Sequence, residues 1–442
     1  MLIQGATGVG AVGFEIDDEQ FDSNVLKAMH VDEISLAIKS DPLLVLLGQT
    51  QYNKLGARKA CHVREKLRIM GRLKLVLRRN TGKVSASIEE FINPMHFDTC
   101  VQGVKSLAEE TDQLSLSGTK TFKKPSLALK AGHLLRKIAE LKKGQGIRNK
   151  DDTLKVAAAD FIELYNTEWS DKISGIAHQN IKELHFNKET ILPLTADLQK
   201  LTKYLEEETT AMTTKILNHK SAELWRKLAE LTLTRLILFN KRRAEEPAQM
   251  LVERFKQRPI NRNTNEELLQ SLQPIEKHLM KCMDMVEVLG KKNRKVPILM
   301  TQTMLAAVSA LVSTRDAVGI PKENPFVFAV GENGHLRGCA TIKRTVESCK
   351  DDIKYPELIT STKLRKYMAT VSQVFNLSTG QLEELAGHMG HELSVHRQYY
   401  RLQEDVVEIA KVSKLLLTVE KGNAHQFAGM SLDDIQLDGK CR

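Results

Sequence analysis

A chain of 442 residues with 42% hydrophobic side chains is long enough for two or three domains, each with its own core. Its 65 Lys and Arg against 55 Asp and Glu leave a net charge of +10, which favours a polyanionic partner over an acidic one. No apolar run reaches the ~18 residues of a membrane span, no basic-then-apolar leader opens the chain, and the six cysteines form no C-x-x-C pair, so a membrane protein, a disulfide scaffold and a zinc ribbon are not expected and the thiols read as reduced.

Residues 1–54 are acidic and irregular, with EIDDEQFD near the start. Gly5, Gly8 and Gly10 loosely suggest a phosphate loop, but no Lys-Ser/Thr follows. A partly disordered segment, or a short docking helix, is expected there. The charge then reverses: residues 54–79 carry ten Lys and Arg against Glu65 alone. Val63, Leu67, Met70, Leu73 and Leu77 fall at helical spacing, with the cations on the remaining faces. Like charges one turn apart repel unless an anion offsets them. Arg64, Lys66, Arg68, Arg72, Lys74, Arg78 and Arg79 are therefore candidate contacts to a DNA backbone.

Pro125 and Ser126 start a second basic helix that Gly144 ends. Leu127, Ala131, Leu134, Ile138 and Leu141 face inward, while Lys130, Arg136, Lys137, Lys142 and Lys143 lie on its other sides, with Arg136 and Lys137 as DNA candidates. A third helix at 153–168 is expected to bury Val156, Ala157, Phe161 and Leu164, and a fourth at 169–186 to bury Trp169, Ile173, Ile176, Ile181 and Leu184. Short links between them predict a helical domain over 55–188.

Ile191-Leu-Pro-Leu-Thr reads as a linker into a second domain. Thr195 opens a helix to about Asn218, and Ser221 caps a nearly all-apolar one through Leu224, Leu228, Leu231, Leu236 and Phe239. It delivers Lys241-Arg242-Arg243-Ala244-Glu245-Glu246, cations that the helix dipole favours at a C-terminus. Residues 285–300 alternate as a β-hairpin whose turn is G-K-K-N, Thr301 caps a helix to about Asp316, Pro325-Phe-Val-Phe supplies a short strand, and a helix spans 336–348. In the stretch 361–401, Arg365 sits on a helix with Met368, Val371 and Phe375, then Leu382 and Leu385 begin another that Gly387 and Gly390 break, leaving His391 nine residues before Tyr400. An Arg, a His and a Tyr can meet at one phosphate: Arg grips its oxygens, His hydrogen-bonds or shuttles a proton, and Tyr attacks. His388, His391, Glu392 and His396 crowd together, but H-E-x-x-x-H is one residue too long for two histidines to share a helix face, so no metal site is expected. Residues 402–420 put Ile409, Val412, Leu416 and Val419 on one apolar stripe, and 421–442 read as a flexible tail.

Leu364-Arg365, Gly390-His391 and Tyr400 resemble the C-terminal half of the tyrosine recombinase active site. The phrases T-S-T-K-L-R-K, H-R-Q-Y-Y-R-L and P-S-L-A-L-K are closest to Crypton-type transposon recombinases and the vertebrate genes derived from them. The resemblance implies a mainly α fold with a small β component: a helical core-binding domain at 55–188, then an α+β catalytic domain at 191–420. It further implies that Arg243 is the first catalytic arginine with Glu246 three residues on, Arg242 competing for the role and otherwise contacting DNA. Lys291, with Lys292 as the alternative, takes the hairpin position that reaches the minor groove and protonates the departing 5′ oxygen. His391 orients the phosphate, and Tyr400, not its packing neighbour Tyr399, forms a 3′-phosphotyrosyl bond without ATP, metal or cofactor. The implied partners are double-stranded DNA, in a channel lined by the two basic helices and the face carrying Arg243 and Arg365, and a second copy docked through the 402–420 helix on DNA. The implied location is the nucleus. Thr362 stands where the family has a His, which leaves two readings open: an active DNA breaking-rejoining enzyme, or a domesticated and catalytically silent DNA-binding protein.

Overall fold

A computed structural model describes residues 18–116, 118–186, 191–258, 266–290, 294–372, 375, 377–390 and 413–420. The chain divides into two compact units, Met1–Glu189 and Thr190–Arg442. Both are mainly helical, and the β component among the described residues is three two-stranded antiparallel sheets, in keeping with the expected fold class.

The first unit corrects the reading of residues 1–54. From Asp18 onward the chain is helical, and Phe21, Val25, Ile38, Leu43, Leu44 and Leu47 share one core with Val63, Leu67, Met70, Leu73 and Leu77 of the Ala60–Thr81 helix. Glu19 is exposed and Asp22 pairs with Lys27 at the surface, but two later acids are caps. Asp32 accepts from Ser35 N in a capping box that starts Glu33–Lys39, and Asp41 accepts from Leu43 N and Leu44 N to start Pro42–Leu55. Residues 17 and below lie outside the described ones.

After Pro125–Asn149, the Asp152–Trp169 helix runs through a π turn, Ser170–Ser174, into Gly175–Phe186. Phe161, Trp169 and Ile173 are buried as expected, but Val156 is 51% and Leu184 59% exposed, and Ala158 packs inward instead. The π turn adds a residue to the helical repeat and rotates the Gly175–Phe186 faces relative to those before it, a shift that a strict 3.6-residue pattern misses at Leu184.

In the second unit Thr195–Asn218 packs on Ala222–Asn240, which is buried along nearly its whole length, though Phe239 at its end is exposed. The Trp225 indole of that helix donates to Leu311 O at 3.0 Å. The hairpin pairs Met283–Leu289 with Lys295–Thr301 in the register Val286↔Ile298 and Val288↔Val296, with these four side chains buried. Thr301 then caps Gln302–Thr314. The strand expected at Pro325 is absent as such: Phe326 makes one bridge to Leu251, and the strands are the two-residue pair Ala329–Val330 and Gly334–His335. The Ser361–Val371 helix buries Leu364, Arg365 and Ala369, whereas Phe375 of the expected stripe is 61% exposed. Met368 and Val371 are half-buried, and Phe375 lies past the helix end at Val371. Of the apolar C-terminal helix, Ser413–Glu420 is described, with Leu416 and Val419 exposed.

Candidate active site around the 240–246 turn

The site begins at a helix end. Ala222–Asn240 stops because Lys241 adopts left-handed backbone angles, φ 53° and ψ 33°, and its N–H returns to Ile237 O. Its ammonium caps Leu238 O at 2.5 Å, and burial pulls its pKa down to about 8. The reversal folds residues 242–246 back over the helix terminus. Asn240 fixes the neighbouring strand: its amide donates to Leu299 O at 2.9 Å and accepts from Leu299 N at 2.8 Å. Its own carbonyl lies 3.0 Å from His388 Nε2, the tautomer in which the imidazole donates. Burial holds His388 below its ordinary pKa, so the ring is a neutral positioning group beneath the turn.

Glu246, 5% exposed, divides its carboxylate between two arginines. Oε2 accepts from Arg242 Nε at 3.0 Å, and Oε1 from Arg243 Nη1 at 3.1 Å. The two guanidiniums then part. Arg242 is wholly buried, with Nη1 unpaired among the described residues, whereas the Arg243 side chain keeps 31% of its exposure and donates to Gly390 O from both Nη1 and Nη2 at 3.2 Å. The expectation that Arg242 touches DNA is thereby corrected, because a side chain 1% exposed cannot reach a backbone in solvent. The solvent-facing arginine of the pair is Arg243. Ser361, first residue of its helix, locks the turn: its hydroxyl donates to Arg242 O at 3.0 Å and accepts from Ala244 N at 3.1 Å. Arg365 lies one helical turn later and is buried at 5% exposure. Thr362, at the position of the family His, is exposed and lines a groove of about 420 Å³ with Cys339, Ile342 and Ile359.

Lys291, Lys292, His391, Tyr399 and Tyr400 lie outside the described residues. The residues that precede two of them do not. A Cβ on Gly290 would come 3.4 Å from Glu246 Oε1, and one on Gly390 would come 2.8 Å from Arg243 Nη1 and 3.1 Å from Arg242 Nη2. Gly390 is therefore packed on the pair of arginines, and Gly290 approaches the carboxylate that the two arginines share. Asn240, Ser361 and His388 carry the arrangement, and sequence reading assigned none of them a role in it. The one signal was their adjacency to Lys241, Thr362 and Gly387.

In the first unit, several cations read as DNA contacts are used internally. Lys74 is 1% exposed, pairs with the fully buried Asp41 at 2.8 Å and donates to Ala37 O at 3.0 Å, so it is a core ion pair and not a DNA contact. Arg68 grips Asp32 with Nη1 and Nη2 at 3.1 and 2.6 Å, and that bond, with Ser35 N, lowers the Asp32 pKa to about 2. Lys66 reaches Gln51 Oε1 at 2.5 Å, and Arg78 reaches Ala86 O at 2.7 Å. Lys142 donates to Glu89 O and Ile92 O from a buried position. The repulsion inferred from the charge run is relieved from inside by these carbonyls and caps. Arg72 and Arg79 remain exposed, as does Arg136, while Lys137 is half-buried; Arg136 and Lys137 both pair with Glu140. Arg64, Arg68 and Arg72 face Lys123, Lys124 and Lys130 across a groove of about 870 Å³.

No family model and no curated protein matches the chain. Among solved structures it is similar to that of XerA recombinase, at TM-score 0.31 and 12% identity over 79% of this chain and 97% of that one. It is similar also to XerH site-specific recombinase bound to a palindromic difH substrate in a post-cleavage complex, at TM-score 0.40 and 13% identity over 91% and 93% of the two chains. A pre-cleavage XerH complex gives TM-score 0.32 and 16% identity over 78% and 95%.

Proposed function

We propose that the chain is a DNA-binding, DNA breaking-rejoining protein of the tyrosine recombinase kind. The observation that supports this most is the Arg243 guanidinium, aimed by Glu246 and by the carbonyl of Gly390, with Gly390, which precedes His391, packed on it and Gly290, which precedes Lys291, packed near the Glu246 carboxylate that it shares. On this reading Arg243 grips a non-bridging oxygen of one DNA phosphodiester, and Arg365, buried at 5% exposure, adds positive charge from within the unit. Tyr400 Oη gives its proton to water and attacks phosphorus, the bond to the 5′ oxygen breaks, and Lys291 supplies the proton that the departing oxygen takes up. A 3′-phosphotyrosyl linkage keeps the bond energy, so rejoining needs no nucleotide. Exposed cations of the first unit, among them Arg72 and Arg79, hold the backbone by charge. A Crypton-type origin, a nuclear location and self-association on DNA through residues 402–420 belong to the same reading.

The test is a nicked suicide duplex whose cleaved end diffuses away. A denaturant-stable protein–DNA adduct is expected with the parent and with Tyr399→Phe, and none with Tyr400→Phe, whose DNA affinity stays near the parent's because one hydroxyl is lost. The second reading is a silent DNA-binding protein. It is favoured by Thr362, whose exposed hydroxyl cannot take a proton near neutral pH as the imidazole it replaces could. DNA binding without any adduct would decide for it, and absence of DNA binding would remove both.

A further inference from the structure

The groove of the first unit holds more positive charge than its own acids offset, and an exposed serine sits on its wall. Six cations line it: Arg64, Arg68, Arg72, Lys123, Lys124 and Lys130. Three are neutralised, Arg68 by Asp32, Lys124 by Glu109 and Lys130 by Glu65. Arg64 donates to a carbonyl, Asn24 O at 2.6 Å, which leaves its charge uncompensated. Arg64, Arg72 and Lys123 therefore form the excess. Ser126 lies among them, exposed, in the first turn of the 25-residue Pro125–Asn149 helix. That helix has Pro at its start and no side-chain cap, so its first turn favours negative charge. Lys123 and Lys124 also precede Ser126 by three and two residues, the placement that an acidic kinase active site reads in a substrate.

We propose that Ser126 is a phosphorylation site and that its phosphate seats in this groove, occupying the cations that otherwise hold DNA. The donor is a nucleoside triphosphate, delivered by a protein kinase that prefers basic residues before the serine. The Ser126 Oγ–P bond forms, the bridging bond between the β and γ phosphorus breaks, the nucleoside diphosphate leaves, and the hydroxyl proton goes to the kinase base. A phosphoserine carries about −1.5 to −2 charge, which offsets most of the charge of the uncompensated Arg64, Arg72 and Lys123. The loss of DNA affinity rests on the proposed DNA-binding function; the seating of the phosphate does not.

The experiment treats the full chain with the catalytic subunit of a basophilic kinase and ATP, then reads the modified position by mass spectrometry. Phosphate on Ser126, and none at this position in Ser126→Ala, is expected. Binding to a short duplex should weaken about tenfold or more, with a salt slope shallower by roughly two, as two cations stop releasing counterions from DNA. Ser126→Ala should lose no affinity on the same treatment. A phosphorus NMR titration should place the phosphoserine pKa below its ordinary value near ~6, because the three uncompensated cations hold the dianion. No modification of Ser126, an ordinary phosphoserine pKa, or a phosphorylated protein that binds DNA like the parent overturns the proposal. If the untreated chain binds no DNA, the DNA-binding reading falls, and the mass and NMR measurements still decide whether the phosphate takes this seat.

Discussion

Gly390→Ala tests the geometry of the arginine pair directly. Gly390 has φ +72°, and a Cβ there would lie 2.8 Å from Arg243 Nη1 and 3.1 Å from Arg242 Nη2. A left-handed alanine costs about 1–2 kcal/mol by itself. The nearest atom is the tip of a side chain that can swing away, but doing so breaks both bonds from Arg243 to Gly390 O. Hydrogen bonds from a charged donor contribute about 1.5–3 kcal/mol, and partial exposure of Arg243 returns some of that through water, which brings the whole cost to about 2–4 kcal/mol. Gly387 is the matched control. It lies within the Thr379–His388 helix with nothing within 4 Å of an added Cβ. Alanine there is favoured by about 0.5–1 kcal/mol. Urea unfolding followed by Trp225 fluorescence, in a Trp169→Phe background so that the second unit alone reports, should show the midpoint falling for Gly390→Ala and holding or rising for Gly387→Ala. Equal midpoints for the two variants would refute the placement of Gly390 against the arginines.

Lys74→Met should cost about 3–5 kcal/mol, because Asp41 is left as a buried charge; Lys74→Met with Asp41→Asn should recover part of the loss in thermal melts, and an additive double variant would contradict the pairing. His388, held below 6.5 by burial, binds protons less readily in the folded state than in the unfolded one. Its contribution to stability is therefore complete above the unfolded pKa and is lost as pH falls below 6.5, so His388→Gln should flatten the stability of the second unit between pH ~7 and ~5. Asp32, at about 2 in the fold, contributes stability that is present above its unfolded value and lost as pH falls toward 2. Arg68→Ala should move that acid loss to higher pH, and an unchanged acid transition by circular dichroism would argue against the bidentate bond.

Long amphipathic helices were legible because their periodicity is local. The Thr195–Asn218, Ala222–Asn240 and Gln302–Thr314 helices and the Val286/Val288 hairpin follow from spacing and from Ser221 and Thr301 as caps. Residues 18–54 read as irregular because the helices before Pro42 are short and because Asp32 and Asp41, which cap helices, look in the sequence like the acids that do meet water, such as Glu19. The charge run at 54–79 misled for a different reason. Whether a lysine meets solvent or a buried carboxylate 33 residues away is a tertiary fact, and Lys74 with Asp41 has no local signature. At the site, the sequence pointed to Arg243, Glu246 and Arg365 as residues of one kind. It could not say that Arg242 is buried and Arg243 half-exposed, because the left-handed turn at Lys241 that folds both back over the helix end is made by a residue with no preference for it.

That separation bears on what the site can do. Arg242, Arg243 and Arg365 bring three positive charges, and Glu246 is the carboxylate to which the first two are bonded. His388, kept neutral, adds none. A phosphodiester in its ground state carries a single negative charge, and attack by a tyrosinate at phosphorus raises the charge on the reacting group toward two. On the proposed function, guanidiniums in excess of the one carboxylate complement the second of these better than the first, as a site that favours a transition state over a substrate must. Replacing Glu246 by Gln would raise the resident charge by one and release the bond that aims Arg243. Ground-state DNA affinity should therefore hold or rise while adduct formation falls, a split between binding and chemistry that a purely structural role for the carboxylate does not produce. Loss of both together, in a variant whose unfolding midpoint matches the parent's, would assign Glu246 to binding alone.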